Sequence, residues 1–259
     1  MSFLFTAKHY LAYKRVAQSA FAVHAPFAYK FYSEVVRSHE KFPKALAPLE
    51  TLRHQIHRNH TAITVTDLGT GATQAKPLRK ISYITRRYAT SRKNAHLLHR
   101  VANFCQPRHI LELGTSVGIA TMYMATAQGH PTVTTIEGCP QTAAIAQQNF
   151  NQVKLCIRAL IGNFDTLLPQ FLAQHRPDMI FFDGNHTRQA TLRYFQQCLP
   201  ATHPKSVFIF ADIHWSKGMH SAWREIIASP EVSLSMDLFH FGILFFDKKL
   251  AKQHFILKY

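Results

Sequence analysis

The stretch from Arg108 to Gly118, R-H-I-L-E-L-G-T-S-V-G, constrains the fold more than any other part of the chain. A short apolar run turns acidic at Glu112 and breaks into Gly114, Thr115, Ser116, Val117 and Gly118. An apolar segment from Ile119 to Ala127 follows. That order predicts strand, tight turn and helix, with glycines where a ligand must approach the backbone.

Beyond Gly118 the pattern alternates between strands and helices, which specifies an α/β sheet. Strands are predicted at Val133 to Ile136, Leu155 to Ile161, Met179 to Phe182 and Val207 to Phe210, with helices at Pro140 to Phe150, Phe164 to His175, Thr187 to Leu199 and Met219 to Ala228. The near-continuous apolar character of Met179 to Phe182 and Val207 to Phe210 suits a sheet covered on both faces. Val232 to Phe239 and Phe241 to Phe246 are joined too closely for a parallel crossover, so they form an antiparallel pair.

Upstream, residues 3–40 have helical apolar spacing interrupted at H-A-P-F, where Pro26 predicts two helices joined at that point. Lys41 to Pro48 reads as a loop and Leu49 to Asn59 as a third, basic helix. Ala62 to Leu68 reads as a strand and Gly69-Thr70-Gly71 as a turn. T-D-L-G-T-G (Thr66 to Gly71) imitates a nucleotide loop but has no apolar helix after it, so it is assigned to a hairpin or turn. Ile81 to Phe104 supplies one or two helices leading into the central strand.

Charge separates the same two regions. Residues 1–100 hold 17 Lys and Arg against 4 Asp and Glu, whereas residues 101–259 hold 13 against 10. A basic face of that kind collects polyanions or serves as a solubilising surface. The four cysteines are widely spaced without a C-x-x-C, which argues against a zinc site or a disulfide framework and suits a reducing cytoplasm. No apolar run reaches the ~18 residues of a membrane span.

In an open α/β sheet, ligands bind beyond the carboxyl ends of the strands. Polar residues gather at those ends: Glu112 and Gly114, Glu137, Asn163, Asp183 with Asn185 and His186, and Asp212 with His214. A carboxylate closing the second strand, as Glu137 does, can accept both hydroxyls of a ribose. The first glycine loop lacks the tighter G-x-G-x-x-G set that a dinucleotide pyrophosphate requires. A nucleoside without phosphates is the better candidate.

These motifs resemble the class I S-adenosylmethionine-dependent methyltransferases from about Ser91 to the C-terminus. E-L-G-T-S-V-G corresponds to the glycine motif, T-T-I-E-G to the ribose-binding strand, I-G-N-F-D to the adenine-side loop, and I-F-F-D-G-N-H and F-I-F-A-D-I-H-W to the fourth and fifth strand ends. F-H-F-G-I-L-F-F corresponds to the antiparallel close. The resemblance implies a Rossmann-like seven-stranded sheet with an antiparallel last strand. A basic, mostly helical N-terminal cap over residues 1–90 would precede a core over residues 91–259. It also implies S-adenosylmethionine as cofactor, held by Glu112, Gly114, Thr115, Ser116, Gly118, Glu137, Gly138, Asn163, Phe164 and Asp183.

Within that superfamily the chain is most similar to the catechol and caffeoyl-CoA type O-methyltransferases, whose divalent metal is held by an Asp after strand four and Asp-Asn after strand five. Asp183 and Asp212 match the two carboxylates, and His186 falls where the family places its lysine base. Ile213 stands where the amide ligand belongs, which argues against the metal and predicts only a weak effect of chelator. Any such metal would rest on Asp183 and Asp212, with His214 as the substitute for the amide, although a Mg²⁺ site prefers oxygen. The catalytic candidates are His186 as base, since an imidazole titrates near neutrality, then His214 and Asp183. Trp215 and Trp223 are candidates for the acceptor pocket wall. The implied substrate is a small molecule. The alternatives are an RNA methyltransferase gripping its substrate through the basic N-terminal helices and a non-catalytic scaffold. The competing roles for that region are an arm that forms a homodimer and a purely electrostatic tether.

Overall fold

A computed structural model describes residues 3–38, 43–66 and 77–259. The chain begins with helices α1 (Phe3–Val16) and α2 (Pro26–Phe31). Pro26 sits in the first turn of α2, where its missing N–H would have no partner in any case, and Ala25 before it is extended at ψ 120°. Helix α3 (Ala47–Arg58) starts two residues before the predicted Leu49, because Pro48 also fits a first turn and so opens the helix. Strand β1 (Ala62–Thr64) pairs antiparallel with β2 (Leu78–Lys80), as a hairpin requires, while the turn at Gly69 to Gly71 lies outside the described residues. The span from Ile81 forms two helices, α4 (Ile81–Tyr88) and α5 (Arg92–Cys105), the second capped by Ser91, whose Oγ accepts from the Asn94 N–H at 3.3 Å.

The alternating elements follow: β3 (His109–Leu113), α6 (Ile119–Ala125), β4 (Thr132–Glu137), α7 (Pro140–Gln152), β5 (Ile157–Ile161) and α8 (Phe164–Leu172). Strands β3, β4 and β5 are parallel neighbours. After them come β6 (Met179–Phe182), α9 (Arg188–Cys198), β7 (Val207–Ala211), α10 (Lys217–Ala228), β8 (Leu234–Asp237), β9 (Phe241–Phe245) and β10 (Gln253–Ile256). The chain divides into two compact units that do not follow the motif boundary at Ser91: residues 39–174 form one, and residues 1–38 with 175–259 form the other.

In the second unit β6 and β7 are parallel, β9 is antiparallel to both β7 and β8, and β10 is parallel to β8. The antiparallel close is therefore as expected. The strand count is not. Apart from the β1–β2 pair, three strands lie in one unit and five in the other, eight where seven were expected. The additional strand, β10, has a single fully buried residue, Phe255, and so carries neither alternation nor a continuous apolar run. Its edge is covered by the N-terminal segment: the Gln18 N–H donates to Ile256 O at 2.7 Å, Lys258 N–H donates to Gln18 O at 2.9 Å, and the Tyr13 hydroxyl donates to Leu257 O.

Every residue of β6, β7, β8 and β9 is buried. Phe182 stacks on Phe210 with ring centroids 4.2 Å apart, and Trp223 packs over Gly242 so closely that a Cβ there would lie 2.5 Å from the indole. Trp223 is thus core, not a free pocket wall. Gly242→Ala is expected to force the indole off its seat and cost about 1–3 kcal/mol of unfolding free energy, read from urea denaturation. An unchanged midpoint would mean that the contact yields freely. No helix among the described residues is long and apolar enough to cross a membrane.

Candidate active site

The glycine turn after β3 is built from backbone that other residues tolerate poorly. Gly114 has φ 105°, Ser116 φ 50° and Gly118 φ 83°. Gly118 also has no space for a side chain, since a Cβ would lie 2.4 Å from Phe150 Cε1. Its N–H donates to Thr115 O at 2.8 Å, and the buried amide of Asn149 on α7 donates to Val117 O at 2.8 Å. The turn is therefore braced by hydrogen bonds within itself and from α7.

Two carboxylates stand at the ends of adjacent strands β3 and β4. Glu137 clasps the turn: its Oε2 accepts from Ser116 N–H at 2.7 Å and its Oε1 from Cys139 N–H at 2.9 Å. Burial pushes its carboxyl upward and these backbone donors pull it back, leaving it above the ordinary range. Glu112 lies deeper, fully buried. Its Oε2 accepts from the hydroxyls of Thr121 and Thr135, the latter at 2.6 Å, while its Oε1 is buried without a hydrogen-bond partner. Burial pushes Glu112 up to about 7, against the pull of the two threonine hydroxyls. At the end of β5, the Gly162 N–H donates to Glu137 O at 2.9 Å, and exposed Asn163 caps α8 by accepting from Asp165 N–H at 2.9 Å. Phe164, the next candidate, is half-buried in the first turn of α8.

In the other unit, His186 stands between two carboxylates. Its Nε2 is 3.8 Å from Asp183 Oδ1 and 3.9 Å from Asp212 Oδ2, and its ring centroid is 5.9 Å from Trp215. Asp212 is held at φ 56° by its own N–H donating to His240 O at 2.7 Å across the β8–β9 tip. Burial lowers the His186 pKa below 6.5, and the Asp212 charge opposes that shift. Ile213 is buried in apolar surroundings and cannot ligate. The imidazole already stands between the carboxylates, and among the described residues Asp183 and Asp212 join no group of three ligands. The donor set does not fit the divalent metal of the catechol-type enzymes.

His214 is placed elsewhere. It is buried, its Nε2 bonds Asp237 Oδ2 at 2.7 Å, and its Nδ1 is 3.1 Å from His220 Nδ1. The structure thus joins Asp183, His186 and Asp212, joins Glu112, Glu137 and the glycine turn, and turns His214 toward a different set of partners.

Residues 111–213 match a family model described as a methyltransferase domain. That segment is similar to methyltransferase domains. The match opens inside β3 and closes at Ile213, so Glu112, the glycine turn, Glu137, Asp183, His186 and Asp212 fall within the matched segment, and His214 falls just outside it. A catechol O-methyltransferase of Niastella koreensis is 32% identical over 126 residues, which span 47% of this chain and 56% of that protein. The chain therefore matches little more than half the length of this curated relative.

Solved structures share the fold. The O-methyltransferase from Bacillus cereus in complex with SAH superposes with a TM-score of 0.57 at 19% identity, covering 83% of this chain and 96% of the other. TomG from Streptomyces achromogenes, an O-methyltransferase in complex with SAM, gives 0.57 at 18% identity, covering 84% and 94%. Sequence reasoning did not single out Thr121, Thr135 or Asn149, which brace the glycine turn and Glu112. The available signal was polar residues inside otherwise apolar segments.

Proposed function

We propose that the protein transfers a methyl group from S-adenosylmethionine to a hydroxyl oxygen of a small-molecule acceptor. The observation that carries this is the pair of carboxylates on β3 and β4 beside a rigid glycine turn, one clasping the turn and the other buried with an unpartnered oxygen. A nucleoside bearing a cationic amino-acid tail suits both. When bound, the cofactor supplies a sulfonium-activated methyl group.

The chain's own residues then have separable tasks. Gly114, Thr115, Ser116 and Gly118 present backbone without obstructing side chains, and Glu137 with Gly138 receives the ribose hydroxyls. Asn163 and Phe164 border the adenine. Glu112 Oε1 offers the acceptor for the ammonium. His186 takes the acceptor's hydroxyl proton on Nε2, and Asp183 and Asp212 on either side stabilise the imidazolium that forms. The Niastella relative is described as acting on catechol. A phenol, with a pKa near ~10, is an acceptor that needs such a base at neutral pH. In the same reading the basic, aromatic-rich residues 1–90 select the acceptor.

Isothermal titration with S-adenosylmethionine and S-adenosylhomocysteine tests the cofactor assignment. Wild type is expected to bind both, and Glu137→Ala to bind on the order of 10- to 100-fold more weakly, as removal of a charged hydrogen-bond acceptor implies. Absence of binding by wild type, or undiminished affinity in the variant, contradicts the proposal.

A further inference from the structure

Three histidines, two from one stretch of the sequence and one from its other end, meet in one place: His9 on α1, His214 in the loop after β7, and His220 on α10. Their ligand-type nitrogens all lie within 4.8 Å of one another, and they form the single three-ligand group found among the described residues. The ring centroids are 4.6 Å apart for His9 and His220, and 5.1 Å for His214 and His220.

The arrangement behind the rings is as telling as the rings themselves. Asp237 is buried; its Oδ1 accepts from Phe239 N–H at 2.8 Å and its Oδ2 is 2.7 Å from His214 Nε2. A carboxylate oxygen can only accept, so Nε2 is the donor to Asp237 and Nδ1 is the nitrogen turned toward His220. His220 Nδ1 meets it at 3.1 Å. Two imidazole nitrogens bound tetrahedrally at ~2.0–2.1 Å from a zinc ion stand roughly 3.3 Å apart, so the observed separation is close to that of two ligands on one ion. A carboxylate fixing the tautomer of a ligating histidine is the usual support of such a ligand.

We propose that His9, His214 and His220 form a binding site for a single transition-metal ion of the zinc class, with Asp237 orienting His214. The chemistry selects the ion. Three imidazole nitrogens without an oxygen donor suit Zn²⁺, and Co²⁺ as its spectroscopic substitute, and disfavour Mg²⁺ and Ca²⁺, which demand oxygen. Phe5, with its ring centroid 4.1 Å from that of His9, and Phe239, stacked on His214 at 5.1 Å, shelter the site from two sides. His220 also lines an open cleft of about 380 Å³ with Phe5, Lys217, Ser221 and Arg224, which gives the ion a route in and leaves room for water as a fourth ligand.

The bound ion would join α1 to α10 and to the loop that carries Asp212. It is separate from Asp183 and His186 and does not depend on the proposed methyl transfer.

The test uses untagged full-length protein freed of metal by chelation and dialysis, titrated with Co²⁺ and then Zn²⁺ against a chromophoric chelator. Wild type is expected to bind one equivalent of Co²⁺ with the intense visible bands of a tetrahedral site, and Zn²⁺ is expected to displace it while Mg²⁺ does not. Affinity should fall at least 100-fold in His9→Ala and His220→Ala and on the order of 10- to 100-fold in Asp237→Asn, while exposed His24→Ala binds as wild type. If His220→Ala does not fold, His9→Ala alone decides, because His9 is a partly exposed helix residue. Zn²⁺ should raise the melting temperature of wild type and not that of His9→Ala. Failure of wild type to bind stoichiometrically, or full affinity in His9→Ala, overturns the proposal.

Discussion

Replacing His186 with Ala is expected to slow methyl transfer by roughly 10²–10⁴-fold, the range contributed by a positioned general base, while leaving S-adenosylmethionine affinity within a few-fold. The separation follows from the division of tasks, since Glu137 and the glycine turn are assigned to the cofactor and His186 to the acceptor's proton. The pH dependence gives an independent reading. A base must be uncharged to accept a proton, and burial lowers the His186 pKa below 6.5 against the opposing charge of Asp212. The acid limb of kcat/KM should therefore lie below pH 6.5, with a plateau through neutrality. Asp212→Asn removes the opposing charge and should move that limb further down while lowering kcat, because the imidazolium loses a neighbour. An acid limb above pH 6.5, or near-normal turnover in His186→Ala, would assign the proton to another group.

The parts of this fold that were legible in the sequence are those coded by local period and turn chemistry. Strand β6 falls where the apolar run from Met179 to Phe182 predicts it, and the glycine turn follows from two glycines between an apolar strand and an apolar helix. Strand β10 was not legible, because Gln253 and His254 are exposed and the segment is held by pairing with β8 and by Gln18, more than 230 residues away in sequence. Pro48 was misread as a loop residue because proline suits the first helical turn as well as a loop.

The site divides in the same way. Glu137, Asp183 and His186 stand where strand ends place them, so spacing alone located them. His214 also stands after a strand end, yet its ring turns to Asp237, His220 and His9, and no spacing rule records that convergence of α1 with the far end of the chain. The replacement of the family's amide ligand by Ile213 was visible in sequence. The placement of His186 Nε2 between Asp183 and Asp212, at 3.8 and 3.9 Å, was not.

Glu112→Gln is expected to change how stability depends on pH by on the order of 3 kcal/mol. The side chain is fully buried and burial raises its pKa from 4.5 to about 7. With the folded value above the unfolded one, the native state holds its proton over a window where the unfolded chain has lost it. The contribution to stability is fully present below pH 4.5 and is lost as pH rises to about 7, at 1.36 kcal/mol per pH unit. Glutamine cannot titrate, and the cost of seating its amide is the same at every pH. The difference in unfolding free energy, variant minus wild type, should therefore rise between pH 5 and pH 7 and then level off, as read by urea denaturation without cofactor. A difference that stays constant across this range would show that Glu112 is ionised throughout. The cofactor should reverse the effect in wild type alone, since an ammonium beside Oε1 favours the carboxylate. Titrating S-adenosylmethionine near pH 6.5 in buffers of different ionisation enthalpy should show proton release for wild type and none for Glu112→Gln, together with weaker binding by the variant. Equal proton release in both proteins would place the ammonium on another carboxylate, Asp183 being the first to test.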